Sequence, residues 1–167
     1  DALPALALGT EKKEPGLMEE PPRNPNESII NRDMMISIGV QSLVMTAAVL
    51  ASFYYGWQDH GLEMGQTYAL VTLITCELLR AYTARSEKYP LWKIGVFSNR
   101  SMNLAFVISF ALLAVILVVP GLRGVFNVQL FHWYDWDFVI AVAILPLLFG
   151  ELTKVIRNAR NKNKKKA

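Results

Sequence analysis

The eighteen residues from Met102 to Val119, MNLAFVISFALLAVILVV, carry no charge. At 1.5 Å per residue such a run makes a helix of about 27 Å, close to the thickness of the hydrocarbon core of a bilayer. A soluble core of this size has no use for an apolar rod that long, so a buried all-helical soluble protein is set aside. Three further segments extend the pattern. Residues 34–57 are uncharged, and residues 67–84 contain only Glu77 and Arg80. Residues 138–150 are apolar and can continue as a helix toward Val155. Trp133, Tyr134 and Trp136 supply an interfacial aromatic belt to this short fourth segment, and Lys154 and Arg157 can snorkel to the opposite surface.

Composition agrees: 53% of the 167 residues are hydrophobic. The single cysteine, Cys76, rules out an internal disulfide and any multi-cysteine metal site. The net charge of +3 is too small to read as a nucleic-acid footprint, and its distribution carries the information. Sixteen of the seventeen basic residues fall before the first span, between the second and third counting the end of the second, or after the apolar core of the fourth; Arg123 is the exception. The positive-inside rule therefore places residues 10–32, residues 85–101 and the C-terminal tail in the cytoplasm. Residues 58–66 and 120–137 face outward.

The opening stretch DALPALALG precedes a cytoplasmic loop. It reads as the cytoplasmic half of a spanning helix whose first half lies before Asp1. The expected fold is all-α: a polytopic transmembrane bundle of four full spans plus half of a fifth, with short loops. Residues 1–9 are the half helix and residues 10–32 the cytoplasmic loop. Residues 33–167 are the four-span bundle with its basic tail. Prolines at 15, 21, 22 and 25 make the loop extended and semi-rigid.

Ionisable residues at membrane depth are costly and mark function by default. Asp1 stands three residues before Pro4, and a proline in a spanning helix frees a backbone carbonyl. A carboxylate beside free carbonyls suits a hard cation, although Asp1 also reads as an ordinary residue at the edge of a loop. Glu77 shares a helical face with Leu70, Leu73, Arg80 and Ala84. It either coordinates a cation or pairs with Arg80 one turn on. Glu151 and Lys154 read as interfacial anchors, Asp135 and Asp137 as solvated, His60 and His132 as surface residues, and Cys76 as a small hydrophobe. The sequence contains no phosphate-binding loop, nucleophile elbow, zinc-protease or dinucleotide motif, so no catalytic residue is assigned.

The blocks DALPALALG, GLMEEPPRNPNESII, TLITCELLRAYTARSE and LFGELTKVIRN occur in the order found in P-type cation-transporting ATPases. Over nearly its whole length the chain resembles their C-terminal membrane domain, from the middle of transmembrane helix six through helix ten. It is most similar to the calcium-pump group. The resemblance implies that Asp1 is the helix-six aspartate that ligates the transported ion and that Glu77 is the helix-eight glutamate of the two-site pumps. It implies calcium as cargo, with Mg-ATP bound only by parts of the pump outside this chain. Its partners would be the lipid bilayer and the rest of the same polypeptide, meaning the transport helices and the phosphorylation domain that loop 10–32 braces. Nucleic acid is not among them. The protein would be an integral, multi-pass protein of the plasma or an internal membrane, with a cytoplasmic C-terminus. Arg80 departs from the two-site pattern, which has an uncharged residue there, and brings a one-ion pump into consideration. Leu6 replaces a common threonine. The alternatives are a P-type pump for Na⁺ or H⁺, and a free-standing four-span subunit or channel.

Overall fold

The computed structural model describes residues 2–11, 13, 30 and 32–164, and among these all regular structure is helical. Seven helices follow in order: α1 (Ala2–Leu8), α2 (Arg32–His60), α3 (Leu62–Thr83), α4 (Leu91–Ile94), α5 (Arg100–Val118), α6 (Pro120–Phe126) and α7 (Asp135–Lys164). Most of loop 10–32 and the end of the basic tail lie outside the described residues.

Among the described residues three helices are long and apolar enough to cross a membrane: α2 over Met34–Gln58, α5 over Arg100–Val118 and α7 over Asp135–Ala159. The remaining expected span, α3, has the length, at 22 residues, but not the apolarity. It packs against both α2 and α7, which also touch each other, and meets α5 and α1. Its polar residues Thr67, Thr72, Thr75 and Thr83 are therefore covered by protein. The hydroxyls of Thr67, Thr75 and Thr83 bond carbonyls of their own helix, at 2.7–3.0 Å. In lipid, polar groups satisfied in this way are tolerated. The outer helices show the opposite pattern. Leu43, Leu50, Leu104, Val107 and Leu112 are all exposed.

Two loop expectations are corrected. Residues 58–66 are not a loop: only Gly61, at φ 86°, separates α2 from α3. The polar residues there sit on helix ends that project beyond the apolar core. Nor is 120–137 an open loop, since it contains α6 and the first turn of α7. The thirteen-residue apolar core of the fourth span lies within a 30-residue helix that passes through Pro146.

The helices hold together by close approach rather than by apolar burial alone, as expected where lipid competes for apolar surface. A Cβ at Gly65 would stand 2.9 Å from the Phe53 carbonyl oxygen, and one at Gly56 would stand 2.7 Å from the Tyr68 ring. Ala48, Cys76 and Ala143 form a small-residue contact between α2, α3 and α7. At the Gly61 end the packing is aromatic. The rings of Tyr55 and Phe138 stack at 4.1 Å, and Tyr68 meets Phe131 edge-on at 5.1 Å.

Candidate functional site

Contacts along α3 and α7 rise together in sequence. The Tyr68 hydroxyl donates to Asp135 Oδ1 at 2.7 Å, the Cys76 thiol to the Ala143 carbonyl at 3.9 Å, and Lys154 Nζ to the Thr83 carbonyl at 2.7 Å. The two helices are therefore parallel. α1 also runs parallel to α3. Ala7 shares a buried cluster with Tyr82, and Glu11, further along, meets Arg85, further along. Stepping back the same number of residues from Ala7 and Tyr82 reaches Ala2 and Glu77. At equal rise per residue these two lie at the same depth. Asp1 itself lies outside the described residues.

Glu77 is half-buried on the open face of α3, with Leu73 and Arg80 exposed on the same stripe. Burial of the opposite face (Val71, Thr72, Thr75, Cys76 and Leu78) fixes this orientation. The pairing with Arg80 is not formed. Among the described residues neither side chain makes a hydrogen bond or ion pair. Arg80 instead lines a cavity of about 640 Å³ with Arg32, Gln41, Glu87 and Arg157. Among the described residues no three His, Cys, Asp or Glu side chains gather into a metal-binding group. Glu77 thus offers carboxylate oxygens that no cation among the described residues neutralises.

Two readings of other charges are corrected. Asp135 is not solvated: it is buried, accepting from Tyr68 through one oxygen and from the His132 amide at 2.7 Å through the other. It ties the first residue of α7 to α3 and to the turn at His132 before it. Glu151 and Lys154 are not interfacial anchors. Both are buried and joined at 2.8 Å. Lys154 also bonds the Thr83 carbonyl, and Glu151 accepts the Leu91 amide at 2.7 Å. Arg157 donates to the Glu87 carbonyl. His132 remains half-exposed, stacked on Tyr134 at 5.1 Å, and Cys76 is buried.

A third polar centre was not singled out from sequence. Arg85 is buried just beyond α3 and grips Glu11. Asn99 caps α5 by accepting from the Met102 amide at 3.0 Å, and its amide nitrogen reaches Glu11 at 2.8 Å and the Ala7 carbonyl at 3.3 Å. These residues lie 74 to 92 positions apart, beyond the reach of any local pattern.

The model of the family described as "Cation transporting ATPase, C-terminus" matches residues 1–156. A calcium-transporting ATPase of Listeria monocytogenes is 34% identical over 95% of this chain, and one of Lactococcus lactis is 32% identical over 98%. A human calcium-transporting ATPase type 2C member 1 is 25% identical over 99%. The chain spans only 18% of the length of each of these relatives. The chain belongs to the cation-transporting ATPases and corresponds to their C-terminal membrane region.

Proposed function

We propose that this chain is the membrane-embedded C-terminal part of an ATP-driven calcium pump, in which Asp1 and Glu77 supply carboxylate oxygens to the transported ion. The observation that carries the reading is the parallel run of α1 and α3. It brings Ala2 to the depth of Glu77, while Glu77 stays half-buried with no ion-pair partner among the described residues. Asp1 directly precedes Ala2 in the chain. A hard divalent cation suits such oxygen donors, with neutral carbonyls completing its shell. Four relatives whose names specify calcium transport, at 29–34% identity, support calcium over Na⁺ or H⁺.

Residues 1–9 are the inner half of a transport helix, residues 10–32 a cytoplasmic strut and residues 33–167 a four-span anchor with a cytoplasmic tail. The basic residues gather at the end of the bundle that carries Arg85, Arg100 and Arg157, which the positive-inside rule assigns to the cytoplasm. The exposed apolar faces of α2 and α5 meet lipid. The open stripe of α3 at Leu73, Glu77 and Arg80 faces the other transport helices of the same polypeptide. Mg-ATP binds, and phosphoryl transfer occurs, in domains outside this chain. There ATP hydrolysis drives the alternating access that these helices follow.

An antibody to the tail NARNKNKKKA, used on source membranes, tests the reading. A band several-fold heavier than 18.8 kDa that co-purifies with calcium-stimulated ATPase activity is expected. A band near 18.8 kDa, without that activity, would replace the pump by a free-standing subunit or channel.

A further inference from the structure

The Arg85 guanidinium has five N–H donors, and the structure uses all of them. Nε and Nη2 each bond one oxygen of Glu11 at 2.8 Å. Nη1 donates to the Gly95 carbonyl at 2.9 Å and the Val96 carbonyl at 3.0 Å, and Nη2 also donates to Ser98 Oγ at 2.5 Å. The Arg85 side chain is 0% exposed and that of Glu11 16%. Asn99 adds its bonds to Glu11 and to the Ala7 carbonyl, and Thr10 Oγ1 closes the same carbonyl at 2.8 Å. The last turn of α1 is thereby tied at once to the end of α3, the loop after α4 and the start of α5.

Within this chain the apolar hold on α1 is thin by comparison. Of its seven residues only Pro4 and Ala7 are buried, while Leu3 and Leu6 are exposed. A slip of one residue would move the helix about 1.5 Å along its axis and turn it by about 100°. Cation coordination tolerates only about 0.2 Å in ligand distance. Within this chain the polar clamp is the directional contact that fixes the register of α1, beside the Ala7 cluster.

We propose that Arg85 is a positioning residue for ion binding: through Glu11 it fixes the depth and rotation of α1, the helix into which Asp1 leads. This rests on the ion-site reading above. Lysine, a point charge with three donors and no planar fork, cannot replace it. The test uses the full-length pump with Arg85→Lys, Glu11→Gln and the double variant. Three readouts are taken: calcium dependence of phosphoenzyme formation from ATP, phosphorylation by inorganic phosphate without calcium, and hydrogen exchange of the Ala2–Leu8 amides.

Each single variant is expected to raise the calcium concentration for half-maximal phosphorylation by about tenfold, the scale of one charge-assisted hydrogen bond. The double variant should do no worse than the singles, since both remove one shared interaction. Exchange in α1 should quicken, and phosphorylation by phosphate should persist. Unchanged calcium dependence, unchanged exchange, or parallel loss of both phosphorylation reactions in every variant would each overturn the proposal. Asp1→Asn, run alongside, separates the two readings. If it loses calcium activation while the clamp variants keep it, only the positioning role falls. If it too is without effect, the ion-site reading falls, and the positioning role with it.

Discussion

Glu151 and Lys154, one turn apart on α7, are joined at 2.8 Å, and each also closes a backbone group of another segment. Lys154 bonds the Thr83 carbonyl at the end of α3, and Glu151 accepts the amide of Leu91 at the start of α4. Removing one member leaves the other charge buried, which costs on the order of 3–5 kcal/mol. Glu151→Ala and Lys154→Ala should each lower the thermal stability of the detergent-purified pump sharply. Glu151→Ala and Lys154→Ala combined should cost less than the sum of the singles. Additive losses on thermal unfolding would show that the pair does not act as one unit.

Thr72 lies fully buried on α3 with no hydrogen-bond partner for its hydroxyl among the described residues. An unpaired buried hydroxyl is a cost of about 1–3 kcal/mol. Thr72→Val keeps the shape and removes that cost, so the variant should melt at the same temperature as the parent or higher. A clear drop would mean that the hydroxyl is satisfied by another group.

Gly65 admits the backbone of Phe53 to within 2.9 Å of where a Cβ would stand. Carbonyl oxygens do not swing aside like side-chain tips. Gly65→Val should therefore separate α2 from α3 and cost on the order of 1–3 kcal/mol. Gly39→Val, with nothing within 4 Å, should be neutral. Monodispersity and melting temperature in detergent distinguish the two. Equal behaviour would argue against close α2–α3 packing.

What the sequence made legible follows from range. Met102–Val119 stands out because absence of charge over one membrane thickness is a local property, and α5 runs from Arg100 to Val118. Glu77 stands out for the same reason in reverse, as a charge in an apolar segment. The burial of the Glu151–Lys154 pair is not legible locally, because its partners, Thr83 and Leu91, lie 71 and 60 residues away in the chain. Without them, a Glu–Lys pair near a helix end looks like an anchor in the headgroups. The same holds for Asp135, whose partner Tyr68 lies 67 residues earlier. The turn at Gly61 was hidden by polar residues that belong to helix ends. The Glu77–Arg80 pair failed although its spacing permits it: Arg80 sits on the exposed stripe and lines the cavity with Arg32 and Arg157.

Calcium activation of phosphoenzyme formation from ATP, measured for Asp1→Asn and Glu77→Gln in the full-length pump, tests the central claim most directly. If the two carboxylates ligate the ion, both variants lose calcium-activated phosphorylation while still accepting inorganic phosphate in its absence. Calcium activation equal to the parent's in both variants would contradict the account.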